Sequence, residues 1–436
     1  MNADTDNPIF TAGALALSSV AAYIPWRKVG IAALILIPII VLIVVAVKQN
    51  WFGRLGKTMS SYPTPTKNAQ IEAAAIAELA PLIDAAEGNR RDYKESLKGV
   101  PADETALSNF YVLGARLTGY LGPEQENGVY SARTATIFAL RAGARVLVLE
   151  VDYLDAAPTT PVLVCRDAAG RMSANNTGLI KDVATGIAEF KRRSFSPADP
   201  IIVVLNVVRL PGEPGSAAAL QFMERIAAGL EPIYTWLLRQ TASGSFLQQK
   251  MEDVLFRQRV QDLENKIILL TTADTRGFRD PPPSYKVNAK ANLDNLVHAR
   301  LYGAAEAAPQ GVTPGVYFAS PAFYADLPTD RVKAYSDGAM KAFHVALTAE
   351  QMPALPTEGR LGALKAAGVQ CVPVSIFDAV RGAASGTETP IFSSANFKQL
   401  SFVAKPESLR YKEPKAVVVA PPPANRNAGG GRIVLV

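Results

Sequence analysis

Between Lys28 and Lys48 lie nineteen residues, Val29–Val47, with no charge among them and built almost wholly from Leu, Ile, Val and Ala. At about 1.5 Å per residue they reach about 28 Å as a helix, close to the hydrocarbon thickness of a bilayer. A buried core helix is the alternative reading, but core helices rarely lack every polar residue over such a length. Pro38 sits mid-span, where membrane helices tolerate it if neighbours satisfy the freed backbone group. The expectation is a transmembrane helix over residues 29–47. It constrains everything after it, because whatever folds next is tethered to a lipid surface.

Residues 1–28 form a leader that contains a second uncharged stretch, Asn7–Trp26. Thr11, Ser18 and Ser19 make its insertion energy marginal. A second leg of a hairpin, an interfacial segment and an unstructured leader all remain open. Arg27 and Lys28 follow this stretch rather than precede it, which does not fit a cleaved signal peptide. Lys48, Arg54, Lys57 and Lys67 lie on the C-terminal side of the main span. That excess places the large domain on the cytoplasmic side, whether the anchor is single-pass or a hairpin.

Composition narrows the classes open to the remainder. The net charge of +6 is scattered among acidic residues rather than gathered in stripes, which disfavours nucleic acid and suits anionic lipid head groups. Cys165 and Cys371 are the two cysteines and His298 and His344 the two histidines, so neither a disulfide framework nor a His/Cys zinc site is expected.

Residues 48–107 read as a linker, with the Pro/Thr-rich Ser60–Lys67, followed by an amphipathic helix over Asn68–Ala86. From residue 108 the pattern alternates between β-branched runs and helical segments. Strands are expected at Phe110–Leu113, Arg145–Val151, Thr160–Cys165, Pro200–Val208, Lys266–Thr271, Val316–Ala319, Phe343–Leu347 and Val369–Val374. Helices are expected at Ser131–Ala142, Ile180–Arg192, Ala217–Arg239 and Gln248–Asn265. A continuous run such as IIVVLNVV implies burial on both faces, which parallel sheets require. Eight strands in βα alternation suggest an α/β fold, a (β/α)8 TIM-like barrel. A doubly wound sheet competes, but no GxGxxG or Walker loop follows the first strand. The tail, residues 411–436, is low-complexity around Pro421–Pro423 and Gly429–Gly431.

Six segments, in order, resemble the catalytic region of phosphoinositide-specific phospholipase C. LRAGARVLVLEVDYLD (Leu140–Asp155) is similar to the family's GCR.LELD.WDG signature, and TPVLV (Thr160–Val164) to its next strand. Leu179–Asn206 resembles the stretch ending in SLEN, and LENKIILL (Leu263–Leu270) resembles LKGKILLK. Ala366–Asp378 and Ala395–Arg410 resemble the late GCQ.VALNYQT and VLKPEFLR segments. The resemblance covers residues 108–410 and implies a PLC-like phosphodiesterase barrel. The family's lipid-binding modules are absent, and a transmembrane helix would replace them.

The resemblance also implies a chemistry: two histidines and Ca²⁺ cleave the phosphodiester of an inositol lipid by acid–base and Lewis-acid catalysis. The first histidine position falls on Arg116, or on Leu117 if the gap moves, and the second on Cys165. Of the calcium carboxylates Glu150 and Asp152 are retained, alternating on one strand so that both face the barrel mouth. The loop ligand becomes Leu117 or Thr118, and the glutamate of SLEN becomes Asn206. Glu150, Asp152 and Asn206 therefore form a weak or lost calcium site; salt bridging of the two carboxylates, with Arg116 as a candidate partner, is the plainer reading. The family's phosphate-binding lysines fall on Leu270–Ala273 and its tyrosine on Ile376.

The expectation is a membrane-anchored, catalytically inactive barrel with a binding or structural role at phosphoinositide or anionic head groups, or toward a protein partner. The alternative is a phosphoric diester hydrolase with a rewired site built on Arg116, Glu150, Asp152 and Cys165, acting on phosphoinositides or other lipids.

Overall fold

The computed structural model describes residues 65–122, 128–167, 170–193, 198–241, 244–245, 252–304, 306, 313–348, 351, 354–386, 389–393 and 396–413. The apolar span at residues 29–47 and the tail from residue 414 lie outside these. Among the described residues no helix is long and apolar enough to cross a membrane.

The chain enters through α1 (Pro65–Gly88), so the last residues of the expected linker are already helical. Ala75, Leu79 and Ile83 recur at every fourth position and form its buried stripe. The flanks of this stripe carry ion pairs, Asp84 to Arg141 on one side and Glu78 to Arg381 on the other. Arg141 ends α2 (Ala132–Arg141) and Arg381 lies in α9 (Ile376–Ala384), so α1 is held to both helices.

Parallel strands follow: β1 (Phe110–Ala115), β2 (Val146–Tyr153), β4 (Ile201–Val207), β7 (Ile267–Thr271), β10 (Val316–Ala319), β11 (Phe343–Ala346) and β12 (Cys371–Val374). Two short strands complete the ring, β8 (Ala299–Arg300) and β9 (Tyr302–Gly303), separated by Leu301 alone. β8 pairs with β7 and β9 with β10, so the two ends of the strand order β8-β7-β4-β2-β1-β12-β11-β10-β9 are one piece of chain. Residues 299–303 thus act as a single stave, and the sheet is a closed parallel barrel of eight.

Two expectations are corrected here. Thr160–Cys165 is not a barrel strand: β3 (Pro161–Leu163) pairs antiparallel with the outgoing end of β2, through Val151, Asp152 and Tyr153. The stave that completes the eight is residues 299–303, expected as a connection. Two helices are also shorter than their periodicity suggests. Ala217–Arg239 is α4 (Ala217–Gly229) followed by a 3-10 turn at Glu231–Trp236, with Pro232 at its start. Within Gln248–Asn265 the described helix is α5 (Glu252–Leu255); a turn follows and Val260–Leu263 is a 3-10 segment, with Phe256, Val260 and Leu263 packed inside the barrel.

Period-two alternation sorts every stave into an inner and an outer row. On β2, Val146 and Val148 belong to the cluster inside the barrel, while Leu147, Leu149 and Val151 pack against the helical layer. On β4, Ile202 and Val204 face in and Ile201, Val203 and Leu205 face out. The end of the barrel at the strand N-termini is closed by Tyr93, Leu107, Phe256, Leu263 and Phe402, with Phe256 stacked on Phe343 at 4.7 Å between centroids. Apolar side chains therefore fill the lower and middle barrel, and the polar inward positions of β1, β2 and β4 come last, at the C-terminal mouth.

Candidate functional site at the barrel mouth

Continuing the inward rows upward brings Arg116, Glu150, Asp152 and Asn206 together. On β1 the row runs Phe110, Val112, Gly114 and then Arg116, just past the strand end. Gly114 is required there, because a Cβ would come within 2.5 Å of the Cys371 sulfur on β12. After Arg116 the chain turns away at Leu117, a non-glycine residue at φ 49°.

Arg116 Nε donates to Glu150 Oε1 at 2.8 Å, and both side chains are at most 2% exposed. Its remaining nitrogens reach across the mouth to the Thr348 hydroxyl and, at 2.8 Å, to the Thr348 carbonyl beyond β11. Asn206 Nδ2 donates to Glu150 Oε2 at 2.6 Å. The fully buried Asp152 takes Arg166 Nε on Oδ2 at 2.7 Å and Arg209 Nε on Oδ1 at 2.8 Å. Arg209 also lies over the Tyr153 ring at 4.3 Å and reaches Asp155. Removing carboxylates from water costs several kcal/mol each unless charge and hydrogen bonds replace the lost hydration. Here three guanidiniums and an amide supply that replacement for two carboxylates.

This arrangement bears on calcium through its donors. Ca²⁺ takes about six to eight oxygen ligands. Each carboxylate oxygen of Glu150 and Asp152 already accepts from a side-chain donor, and Asn206 presents its Nδ2 donor to Glu150. The positive charge these carboxylates need comes from arginine, and the donor set does not fit a calcium ion. Among the described residues no group of three or more His, Cys, Asp or Glu is placed to hold a metal.

Cys165 lies behind this network, fully buried with the outer core residues. Burial, then the neighbouring Glu150 charge, pushes its thiol up to about 12, against the weaker pull of Arg116. A thiol so disposed is not a nucleophile at neutral pH. The histidines are elsewhere. His298, just before β8, is enclosed in the wall, its Nε2 on the Leu238 carbonyl at 2.6 Å and its Nδ1 2.9 Å from the Leu269 amide. His344 points outward from β11, stacked on Tyr317 and 3.4 Å from the Tyr324 hydroxyl. Burial and the Lys405 charge push it down to about 3. Neither joins the mouth.

The sequence reading placed Arg116, Glu150, Asp152, Asn206 and Cys165 in one neighbourhood but missed Arg166, Arg209 and Thr348. The signal was available: Arg116, Arg166 and Arg209 each fall within three residues of the C-terminal end of a strand. The rim has a second character. Among the described residues, the exposed large hydrophobics Leu154, Val208 and Phe323 stand on segments that leave the C-terminal ends of parallel strands, and Leu179 is the N-cap of the helix Ile180–Arg192. Beside Arg116 a cavity of about 20 Å³, bounded by Leu117, Tyr120, Ile376 and Phe377, has room for about one water.

No family model and no curated protein matches the chain. Among solved structures it is similar to PLC21 of S. officinalis, at 15% identity and TM-score 0.47, over 71% of this chain and 38% of that one. PLC21 of L. pealei gives 14% and 0.45 over the same shares, so the chain spans about two fifths of either of these proteins. A Ca²⁺-dependent phosphatidylinositol-specific phospholipase C from Streptomyces antibioticus is 14% identical at TM-score 0.40, over 64% of this chain and 96% of that one. The barrel itself rests on the strand register given above, and a Ca²⁺-dependent phosphoinositol-specific phospholipase C from a Pseudomonas species is a further structure to which the chain is similar, at 11% identity and TM-score 0.36, over 64% of this chain and 92% of that one.

Proposed function

We propose that this chain is a degenerate relative of phosphoinositide-specific phospholipase C, tethered to a bilayer, that binds or organises at the membrane without cleaving lipid. The observation that carries the reading is the saturation of Glu150 and Asp152 by Arg116, Asn206, Arg166 and Arg209. General acid–base cleavage of a phosphodiester needs a group that exchanges protons near neutral pH beside the reacting oxygens. At this mouth the carboxylates are locked in ion pairs, the thiol is held protonated and both histidines are buried elsewhere.

Two features support a membrane-facing mouth. The apolar span at residues 29–47 is long enough to serve as the tether, and its flanking basic residues favour a cytoplasmic barrel. The rim that would meet head groups carries Leu154, Leu179, Val208 and Phe323 together with arginines, a mixture suited to an interface of acyl chains and phosphates. In this reading phosphoinositide or other anionic head groups are ligands at the rim rather than substrates, and a protein partner would be met at the same surface.

The test is hydrolysis. The full chain, reconstituted in phosphatidylcholine nanodiscs containing phosphatidylinositol or its 4,5-bisphosphate, is assayed for released inositol phosphates with Ca²⁺ and with EDTA. The expected result is release no faster than from empty nanodiscs in both conditions. Release that is lost in Glu150→Gln or Asp152→Asn would overturn the reading and establish the rewired hydrolase instead.

A further inference from the structure

Of the described side chains on α1, only Ala75, Leu79 and Ile83 are buried, although the helix is 24 residues long. The helix Ile180–Arg192 is little more than half that length and buries Ile180, Val183, Ile187 and Phe190 among others. Pro81 lies inside α1 and has no N–H to donate, so a rung of the backbone ladder is missing there. Beyond the apolar stripe, α1 is held by ion pairs on carboxylates open to water. Glu78, its side chain 54% exposed, meets Arg381; Asp84, at 65%, meets Arg141; and Glu87 meets Arg141 and Arg193. Such pairs contribute little each and are screened by salt.

The end of α1 is held differently. Arg90, two residues past Gly88, donates through Nη1 to the carbonyls of Phe397 at 2.8 Å and Leu400 at 3.1 Å, and through Nη2 to that of Ala142. The Arg91 amide donates to the Gln399 carbonyl at 2.9 Å. Between this clamp and the helix, nothing from the rest of the fold lies within 4 Å of where a Gly88 Cβ would stand. Asp84 and Glu87 meet Arg141 at the end of α2, just before β2 begins, whereas Glu78 meets Arg381 partway along α9, which starts at the mouth. The helix therefore runs from the mouth side down to a fixed base. Of these pairs, that of Glu78 is farthest from the base. Arg381 Nε donates to Glu78 Oε1 at 2.8 Å and Nη2 to Oε2 at 3.3 Å, while Nη1 donates to Asp378 at 3.2 Å.

We propose that α1 is a hinged arm, which swings away from the barrel as a unit about Gly88 and Asn89 and is latched by Glu78 and Arg381. A sparsely embedded element opens at lower cost than the whole fold. The arm is a lever of about 36 Å. It joins whatever precedes residue 65 to the barrel and lets the barrel change height and tilt without unfolding. At a membrane it sets how closely the mouth approaches head groups. That consequence rests on the tether reading, and the arm itself does not.

The full chain in phosphatidylcholine nanodiscs is transferred to deuterium oxide, and exchange is read peptide by peptide by mass spectrometry. Amides of residues 66–87 are expected to exchange together, at least about a hundredfold faster than those of Ile180–Arg192 and β4. Raising KCl from about 0.1 M to about 1 M speeds 66–87 at least about twofold further and leaves the barrel unchanged. Arg381→Glu sets a third carboxylate beside Glu78 and Asp378 and speeds 66–87 at least about fivefold; adding Glu78→Arg restores the parent rate to within about twofold. Protection of 66–87 equal to that of Ile180–Arg192 overturns the proposal. So does a rise in Arg381→Glu that is uniform across the barrel, or one that Glu78→Arg does not reverse. If Arg381→Glu does not fold, the parent chain carries the test, and salt-independent exchange at 66–87 overturns the latch. Exchange at residues 29–47 in the same samples reports the tether, so the two readings fail separately.

Discussion

Arg116 holds together three staves, through Glu150 on β2 and Thr348 beyond β11, from its own place at the end of β1. Cutting it to Ala leaves Glu150 buried at 2% exposure with only Asn206 as a partner. Breaking one side of a buried pair costs about 3–5 kcal/mol. Arg116→Ala is therefore expected to lower the urea midpoint sharply, and Arg116→Met with Glu150→Leu to recover much of the loss. Equal loss in the single and double variants would show that the network is not where the stability resides. A second residue-scale prediction concerns pH. The unfolded chain protonates His344 near 6.5, whereas the folded chain resists until about 3, so stability is full above pH 6.5 and drains as pH falls toward 3. Lys405, fully buried with its amine on the Ala339 carbonyl and burial pulling it down to about 7, acts at the other end of the scale. Its depressed value makes stability rise between pH 7 and 10.5, so Lys405→Met should be more stable than the parent at pH 7 and lose that upward slope. Melting temperatures across pH 3 to 10.5 for the parent, His344→Phe and Lys405→Met check both signs.

At the scale of elements, what could be read from the sequence depended on how much of its burial a segment carries in its own side chains. IIVVLNV of β4 is buried inside and out, and its apolar run announces a central stave. The helix Ile180–Arg192 was legible to the residue because its apolar positions keep one strict face. The closing stave ARLYG at 299–303 was illegible, since it contains an arginine and a glycine and is recognised as a strand only by pairing with β7 and β10. TPVLV has the better strand composition, yet it is a short antiparallel flap on β2, because nothing in five residues distinguishes a stave from a flap. The mouth was half legible for a related reason. Period two placed Glu150 and Asp152 on the same side, but their arginine partners lie 34, 14 and 57 residues away and are chosen by the barrel alone. Leu301, fully buried between the two halves of the closing stave, is the test at this scale. Leu301→Ala is expected to cost about 2–5 kcal/mol by denaturant unfolding. A loss under about 1 kcal/mol would mean that the ring does not depend on this contact.

For the molecule as a whole, the proposed membrane tether raises the question of which end of the barrel would meet lipid. The apolar rim at Leu154, Leu179, Val208 and Phe323 predicts that the mouth does. An environment-sensitive fluorophore on Phe323→Cys should shift to the blue when the full chain passes from detergent into nanodiscs, while one on Lys98→Cys, before β1 at the opposite end, should not. The reverse pattern would invert the barrel on the membrane. The closing stave has one more consequence. A sheet joined into a ring has no edge, and an open one has two, each a row of unpaired N–H and C=O groups that can template another chain. Here the difference rests on residues 299–303, held by two register pairs on each side. Should that segment lift away, β7 and β10 become free edges of a long apolar sheet, to which neighbouring copies can add strand by strand. The short stave thus guards against edge-to-edge association as well as giving shape, and Leu301→Pro, which also removes the Leu301 N–H bond to Thr271, is expected to raise self-association in a sedimentation assay as well as to lower stability.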